Sequence, residues 1–179
     1  MRQAAGFTLL EILIAVFVLA LGLIGGTAMQ LHAMRTRHES ALLSSAVRVA
    51  SSLADRMRAN AAQLPAYLAI DYDAHAEPSP APPANLCLAT PCDAAGLASL
   101  DAYELKRQVR ATFPAGRARV CRDAQMWAGG SLRWDCSGEP SAPVVVKVGW
   151  RGKRPDGTPD TDAAGSYAPG VAIAVGAAP

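Results

Sequence analysis

The sequence predicts an α+β protein, in which a long amino-terminal helix precedes a small globular domain with a second helix and an antiparallel sheet. Three observations support this prediction. The chain opens with an apolar run and has no proline before Pro65. A second stripe of apolar residues at helical spacing follows, and after it come short strand-like segments separated by turn residues. Four cysteines, all between residues 87 and 136, predict disulfides that stabilise the domain.

The bulk composition suits one modest domain once any membrane segment is set aside. The chain has 179 residues, of which 51% are hydrophobic and 18% are charged. Its 17 basic and 15 acidic residues give a net charge of +2. No long run of one sign is present that could follow a phosphate backbone, so nucleic-acid binding is not indicated.

The first predicted element is a membrane-spanning helix over residues 7–29. Nearly every residue in this range is apolar, and about 20 such residues cross the hydrocarbon core of a bilayer. Glu11 is the one strongly polar interruption. A cleaved secretory signal peptide is the alternative, but such a peptide has a shorter apolar stretch and a positive charge before it. The run therefore predicts an anchor that also forms the core of a larger assembly.

An amphipathic continuation of the same helix is predicted over residues 30–65. Apolar residues recur at three- and four-residue steps with one longer gap, and Pro65 is expected to close the helix. Because the polar residues fall mostly off this stripe, one side is expected to pack on the globular domain at residues 66–179. The apolar stripe consists of Leu42, Ala46, Val49, Leu53, Met57 and Leu64.

The second helix is predicted to start after Asp93, whose carboxylate is suited to cap the first turn. A proline-rich stretch over residues 71–84 precedes it and is interpreted as a loop. The apolar stripe runs from Ala98 to Phe113, and Pro114 ends the helix.

Four strand candidates follow the second helix, and turn residues separate them. An antiparallel sheet is the simplest arrangement that this pattern predicts. The three tryptophans of this part of the chain are expected in the core, because large aromatic residues are few. The strand candidates are Arg117–Asp123, Ser131–Cys136, Val144–Arg151 and Gly170–Val175, and the tryptophans are Trp127, Trp134 and Trp150.

The cysteines are Cys87, Cys92, Cys121 and Cys136, an even number that favours disulfides in an oxidising compartment. Three connectivities are open, and the spacing suggests the local pairs Cys87–Cys92 and Cys121–Cys136. A zinc site is the alternative, but neither spacing provides a short C-x2-C knuckle. We therefore predict disulfides and no metal site at these residues.

A second candidate metal site is the loop over residues 153–169, which carries Asp156, Asp160 and Asp162. Clustered carboxylates bind calcium in some proteins, yet this spacing does not match the EF-hand order. A solvated surface loop is the prediction, with calcium binding left open. No cofactor is expected.

A carboxylate in an apolar helix needs compensation, because an unpaired acid at the bilayer centre costs about 2.5–3.5 kcal/mol. One source is the positive end of its own helix, if that helix begins near Phe7. The other is a cation on a neighbouring chain. Cutting the chain before Phe7 would create an amine at the depth of Glu11, so that identical or similar helices could pair amine to carboxylate.

The stretch GFTLLE, residues 6–11, resembles the processing motif of type IV prepilins and of the pseudopilins of type II secretion. The resemblance implies the type IV pilin fold and a leader, residues 1–6, which prepilin peptidase removes by cutting after Gly6. It further implies that the new amino group of Phe7 is methylated. Pairing of Glu11 with the Phe7 amine of a neighbouring subunit would then set the register between subunits.

Other segments are similar to the family of the minor pilin PilV, the type IV pilus modification protein. The most specific is LADRMRAN at residues 53–60, and residues 92–101 and 146–150 are also similar. The family commonly has a tryptophan near residues 103–105, where this chain has Tyr-Glu-Leu.

The resemblance implies a minor pilin that joins other minor pilins in a complex that primes pilus assembly and sits at the tip, with effects on motility and adhesion. The implied partners are the prepilin peptidase, other minor pilins, the major pilin and a tip adhesin. The implied location is the inner membrane, with a single span and the carboxyl-terminal domain in the periplasm, and then the surface pilus. A minor pseudopilin of a type II secretion system is the alternative.

Asp55, Arg56 and Arg58 are candidate contacts for these partners. The alternative is that they cap the helix and form ion pairs with the domain beneath it, and both interpretations stay open. No hydrolase, P-loop, metalloprotease or dinucleotide motif is present, so no enzymatic activity is predicted.

Overall fold

The computed structural model describes residues 6, 8–154, 157–161 and 165–176, without the side chains at positions 24, 25 and 28 of the first helix. The chain divides into two compact units, Met1–Ser40 and Ala41–Pro179. Helix α1, Leu9–Ala59, is continuous through 51 residues and contributes to both units. In the second unit its apolar stripe enters the core, since Leu42, Leu53 and Met57 are buried there.

Helix α1 ends at Ala59 and does not continue to Pro65, where the sequence pattern predicts its end. The reason lies at Asn60, whose backbone leaves the helical region and whose side-chain amide donates to the Ala94 carbonyl at 2.8 Å. A 3-10 turn over Ala61–Gln63 and helix α2, Leu64–Leu68, follow. Pro65 lies in the first turn of α2, where its missing N–H leaves no hydrogen bond unmade.

Helix α3, Ala94–Thr112, confirms the predicted second helix. The Asp93 carboxylate accepts a hydrogen bond from the Gly96 N–H at 2.7 Å, as expected for an N-cap. At the other end Phe113 takes an extended conformation, which is the conformation favoured for a residue before proline.

A four-stranded antiparallel sheet has the order β1-β2-β5-β6, and strands β3 and β4 form a separate hairpin within the connection between β2 and β5. Two predictions were wrong here. The segment 71–73, predicted as loop, pairs with β2, and the predicted strand 131–136 is reduced to its first two residues. The strands are β1 Asp71–Asp73, β2 Arg117–Arg122, β3 Trp127–Ala128, β4 Ser131–Leu132, β5 Val144–Gly149 and β6 Val171–Gly176.

The core of the second unit lies between one face of this sheet, helix α3 and the second part of α1. Every residue of the central strand β5 is buried, whereas the edge strands are partly exposed. Trp150 stacks on Phe113 at 5.4 Å between ring centroids, at the border of the core. Trp127 is 64% exposed, and Trp134 is half-buried outside the core, so the prediction that all three tryptophans lie in the core was wrong for these two residues. The α+β class itself is confirmed.

Candidate functional site

The last three residues of the amino-terminal motif, Leu9–Glu11, lie in the first turn of α1. Gly6 is exposed, while residues 1–5 of the predicted leader and Phe7, which follows the predicted cleavage site, lie outside the described residues. The N–H of Glu11 donates to the Thr8 carbonyl at 3.1 Å and to its Oγ1 at 3.3 Å. Thr8 therefore caps the helix, a role that sequence reasoning missed. The signal was present, because T-x-x-E is the spacing of a capping box.

The first unit presents large apolar side chains at consecutive positions on all sides of α1. Leu9 is 79% exposed and Phe17 is 64% exposed, and the side chains as far as Met34 are uncovered to a similar degree. A helix that is hydrophobic all round is normally buried, in a protein core or in a membrane. Among the described residues, the Glu11 carboxylate has no hydrogen-bond or ion-pair partner. Within the first unit, the described residues therefore leave this apolar surface uncovered.

None of the helices in the described part of the chain combines the length and apolarity of a membrane span. The predicted span over residues 7–29 is not confirmed by this finding.

Arg56 connects α1 to α3 through two carboxylates. Its Nη1 donates to Asp101 Oδ1 at 2.8 Å and to Glu104 Oε2 at 2.7 Å. The hydrogen bond to Asp101 is the largest of the effects that raise the pKa of Arg56 above its ordinary value, against the opposing effect of burial. The guanidinium is still 44% exposed, so it lies at the edge of the domain and not in its core.

Beneath Arg56, a buried tyrosine completes the same network. The Tyr67 hydroxyl donates to Asp101 Oδ2 at 2.7 Å and accepts from the Asn60 amide at 3.3 Å. Burial, together with the hydrogen bond to Asp101, raises the pKa of Tyr67 to about 12. Asp101 thus holds Arg56 and Tyr67 at once, and sequence reasoning missed it. Its position could have indicated this role, because Asp101 is a carboxylate on the apolar stripe of α3, between Ala98 and Leu105.

Arg58 connects α1 to the edge of the sheet. Its Nε donates to the Val175 carbonyl at 2.9 Å, and its Nη1 forms an ion pair with Asp55 three residues earlier. The predicted trio of Asp55, Arg56 and Arg58 therefore makes contacts within the domain, as the ion-pairing alternative requires. Its role as a contact for partner subunits stays a prediction.

Both disulfides that the spacing suggests are present. Cys87–Cys92 closes the loop just before α3, and Cys121–Cys136 joins the end of β2 to the segment after the β3–β4 hairpin. No free cysteine remains.

Among the described residues no group of three or more metal-binding side chains occurs. In the acidic loop, Asp160 pairs with Arg154 at 3.3 Å, while Asp156 and Asp162 lie outside the described residues.

A fully buried ion pair supports the disulfide-closed segment. Lys147, in the centre of β5, donates from Nζ to Asp123 Oδ2 at 2.6 Å and to the carbonyls of Arg133 and Asp135 at 2.6 and 2.7 Å. Burial alone would raise the pKa of Asp123, but the hydrogen bonds from Lys147 and from the Gln125 N–H outweigh it, so the pKa is lowered. The sequence analysis did not predict this pair. The lysine within the apolar strand VVVKVG could have indicated it, because a charge in a buried strand needs a partner.

Comparison with known proteins yields two family matches that follow one another along the chain. Residues 1–27 match the prokaryotic N-terminal methylation motif, and residues 28–103 match the family described as type IV pilin Tt1218. No curated protein and no solved structure matches the chain. The methylation motif coincides with the capped first turn and the uncovered apolar helix, and the pilin match covers the remainder of α1, α2 and the first part of α3. The chain is therefore similar to type IV pilins over residues 1–103, and the observed α+β fold is consistent with the type IV pilin fold.

Proposed function

We propose that this chain is a minor pilin of the type IV pilus, which joins other minor pilins in a complex that primes pilus assembly and sits at the tip. Pilins are structural subunits, and the proposal assigns no enzymatic activity. One observation carries it: the apolar part of α1 is exposed on all sides and begins beside a carboxylate, Glu11, that has no partner among the described residues. Packing of similar helices from neighbouring subunits would cover this surface.

The energetic basis of assembly is the burial of these apolar side chains. Removal of apolar surface from water contributes roughly 25 cal/mol per Å², and each exposed side chain between Leu9 and Met34 can contribute when a neighbour covers it. Burial alone does not select one axial position. A pair between Glu11 and the Phe7 amine of the next subunit would select it, because a misaligned subunit leaves both charges buried without partners.

The proposed sequence of events starts in the inner membrane. The prepilin peptidase cuts after Gly6 and the Phe7 amine is methylated, while the second unit lies in the periplasm. Two disulfides in this unit suit such an oxidising compartment. The subunit then enters the pilus with the other minor pilins, the major pilin and a tip adhesin, and thereby affects motility and adhesion. The segment at residues 53–60, which resembles the minor pilin PilV, supports this more specific assignment.

The test is the intact mass of the protein extracted from membranes. We expect the native chain to lack Met1–Gly6 and to carry a methyl group, and Gly6→Val to retain the leader. Ala4→Val, a change of similar size in the same leader, is the matched control and should be processed. Retention of the leader by the native chain in cells with an active peptidase would contradict the proposal.

A second measurement separates the pilus from the secretion system. Pili sheared from the cell surface are probed for the chain, and secretion of type II substrates is measured in a strain that lacks it. We expect the chain in the pilus fraction and normal secretion. The reverse outcome would identify a pseudopilin.

A further inference from the structure

A groove of about 750 Å³ lies on the second unit, remote in sequence from the amino-terminal motif. We propose that it binds an extended acidic peptide segment of another protein, with the carboxylates of that segment held by arginines. The residues that carry the argument are Arg117, Arg133, Arg151, Trp134 and Tyr167. This inference goes beyond the proposed function, because it depends on neither leader cleavage nor filament packing.

The backbone of the groove wall at Arg133 is held by two hydrogen bonds. The Arg133 N–H donates to the Met126 carbonyl at 3.0 Å, and its own carbonyl accepts from the buried Lys147. Its Nε atom is buried and has no hydrogen-bond partner among the described residues. Buried donors of native proteins are nearly always paired, and an orphan donor on a charged group is expensive. Because this atom has no accessible surface, a carboxylate in the groove would reach it only after the half-buried Arg133 side chain turns towards the groove.

Two further guanidiniums are held flat against aromatic rings. Arg117 lies over Trp134 at 4.6 Å from the ring centroid, and Arg151 lies over Tyr167 at 5.3 Å. The two rings are themselves linked, since Trp134 Nε1 donates to the Tyr167 carbonyl at 2.6 Å. Stacking fixes a guanidinium while leaving its N–H edge able to donate, which suits bidentate contact with a carboxylate.

The donors of these two arginines are not equally committed. Arg117 also contacts Asp71 at 3.2 Å. Arg151 is exposed, and its guanidinium makes no hydrogen bond to any described residue. Arg151 is therefore the arginine most available to a ligand, and its replacement is the least disruptive test.

The same stacking favours a peptide over an acidic saccharide. A sugar ring would pack against an aromatic face, but Arg117 and Arg151 each cover a face of the rings in question. Charge agrees with an acidic ligand, because the groove is lined by three arginines against two aspartates, Asp73 and Asp135. Recognition of acidic motifs by clustered arginines is a recurring mode of peptide binding.

The experiment measures fluorescence anisotropy of a labelled peptide of alternating Asp and Ala, added to the full chain in detergent. A peptide with Asn in place of Asp and an oligogalacturonate competitor are the comparison ligands. We expect binding of the Asp peptide that weakens with salt, and weakening of about tenfold in Arg151→Gln. Arg107→Gln removes the same charge from an exposed position of α3 and should bind as the native chain does.

Arg133→Met tests the orphan donor, and near-ultraviolet circular dichroism checks that this variant keeps the native fold. A folded variant should again bind about tenfold more weakly. Three outcomes would overturn the proposal: equal binding of the Asp and Asn peptides, equal weakening by Arg107→Gln, or preferential binding of oligogalacturonate. None of these outcomes bears on leader processing, so this proposal and the proposed function can fail separately.

Discussion

Two regions of the molecule place a charge among apolar residues, and they treat it in opposite ways. In the domain, Lys147 is completely buried, and three acceptors from its own chain surround the ammonium group. In the amino-terminal part of α1, Glu11 stands at the start of an apolar surface and has no partner among the described residues. The domain satisfies its buried charge internally, whereas the described part of the chain provides no counter-charge for Glu11.

This contrast indicates which part of the molecule contains all the partners that its charged groups need. A charge with all its partners in one chain organises the fold of that chain, since loss of either member leaves the other buried and unpaired. A charge without such partners is suited to organise an assembly. Only an arrangement of subunits that brings a counter-charge close to it is stabilised by the pair. Substitution of Lys147 should accordingly affect folding, and substitution of Glu11 should affect incorporation into filaments.

The largest expected effect is on assembly. Glu11→Gln removes the charge that would pair with the Phe7 amine of the next subunit, while the Thr8 cap accepts the backbone N–H of position 11 as before. We expect incorporation into sheared pili to fall by about tenfold or more at unchanged membrane level. Quantitative immunoblotting of the pilus and membrane fractions measures it.

Glu39→Gln is the matched control for this prediction, because it removes a carboxylate from the same helix beyond the strongly apolar run. It should leave incorporation unchanged. Normal incorporation of Glu11→Gln would show that apolar packing alone sets the position of the subunit.

The next effect is on stability. Lys147→Met leaves the Asp123 carboxylate and two backbone carbonyls without their common donor, and such breaking of a buried pair costs about 3–5 kcal/mol. Denaturant unfolding of the full chain in detergent, followed by near-ultraviolet circular dichroism, gives the change. Lys153→Met, at an exposed position, should shift the midpoint little.

The double variant Lys147→Met with Asp123→Leu sharpens this result. It removes both charges, so it should recover part of the stability lost in the single variant. If both single lysine variants unfolded at the same denaturant concentration, the buried pair would not organise the domain.

Local features of the fold could be predicted from the sequence. Asp93 begins α3 because a cap acts within one turn, and the disulfide partners are close in sequence. Strands β2 and β5 follow from runs of residues suited to a buried sheet. The amino-terminal motif was recognisable for the same reason, since its features lie within one short stretch.

Features that depend on distant contacts were missed. The Lys147 ammonium group donates to Asp123 and to two carbonyls of the segment that the Cys121–Cys136 disulfide closes. These acceptors are 12 to 24 residues away in sequence, so no local sequence pattern predicts the contacts. The end of α1 depends on Asn60 reaching Ala94 across the domain. The short strand β1 exists only because β2 is available beside it.

A smaller effect is expected at Tyr67, within the domain. Tyr67→Phe removes the hydrogen bond to buried Asp101 and should cost about 1–2 kcal/mol at neutral pH. The folded protein holds the pKa of Tyr67 at about 12, above its ordinary value of 10.0. The stability that this shift contributes is therefore complete below pH 10 and is lost as the pH rises towards 12.

The measurement is the unfolding midpoint of the native chain and of Tyr67→Phe, at neutral pH and at about pH 11. It tests both the loss of stability in the variant and the dependence of that loss on pH. The difference between the two proteins should narrow at the higher pH. Tyr103→Phe, a partly exposed site on α3, is the control and should show a smaller difference at neutral pH. A difference that stayed constant with pH would mean that Tyr67 ionises equally in the folded and unfolded chains.

The smallest effect is expected at Arg58, which separates the two interpretations of the charged segment at the end of α1. Its guanidinium is 54% exposed, so Arg58→Ala should cost less than about 1 kcal/mol. Because its contacts are to Asp55 and Val175 of the same domain, we expect incorporation into pili to remain near the native level. The same unfolding and pilus-fraction measurements apply, with Arg48→Ala as the control on the same helix. A fall in incorporation without a comparable loss of stability would instead make Arg58 a contact for a partner subunit, and the domain would then supply part of the assembly surface.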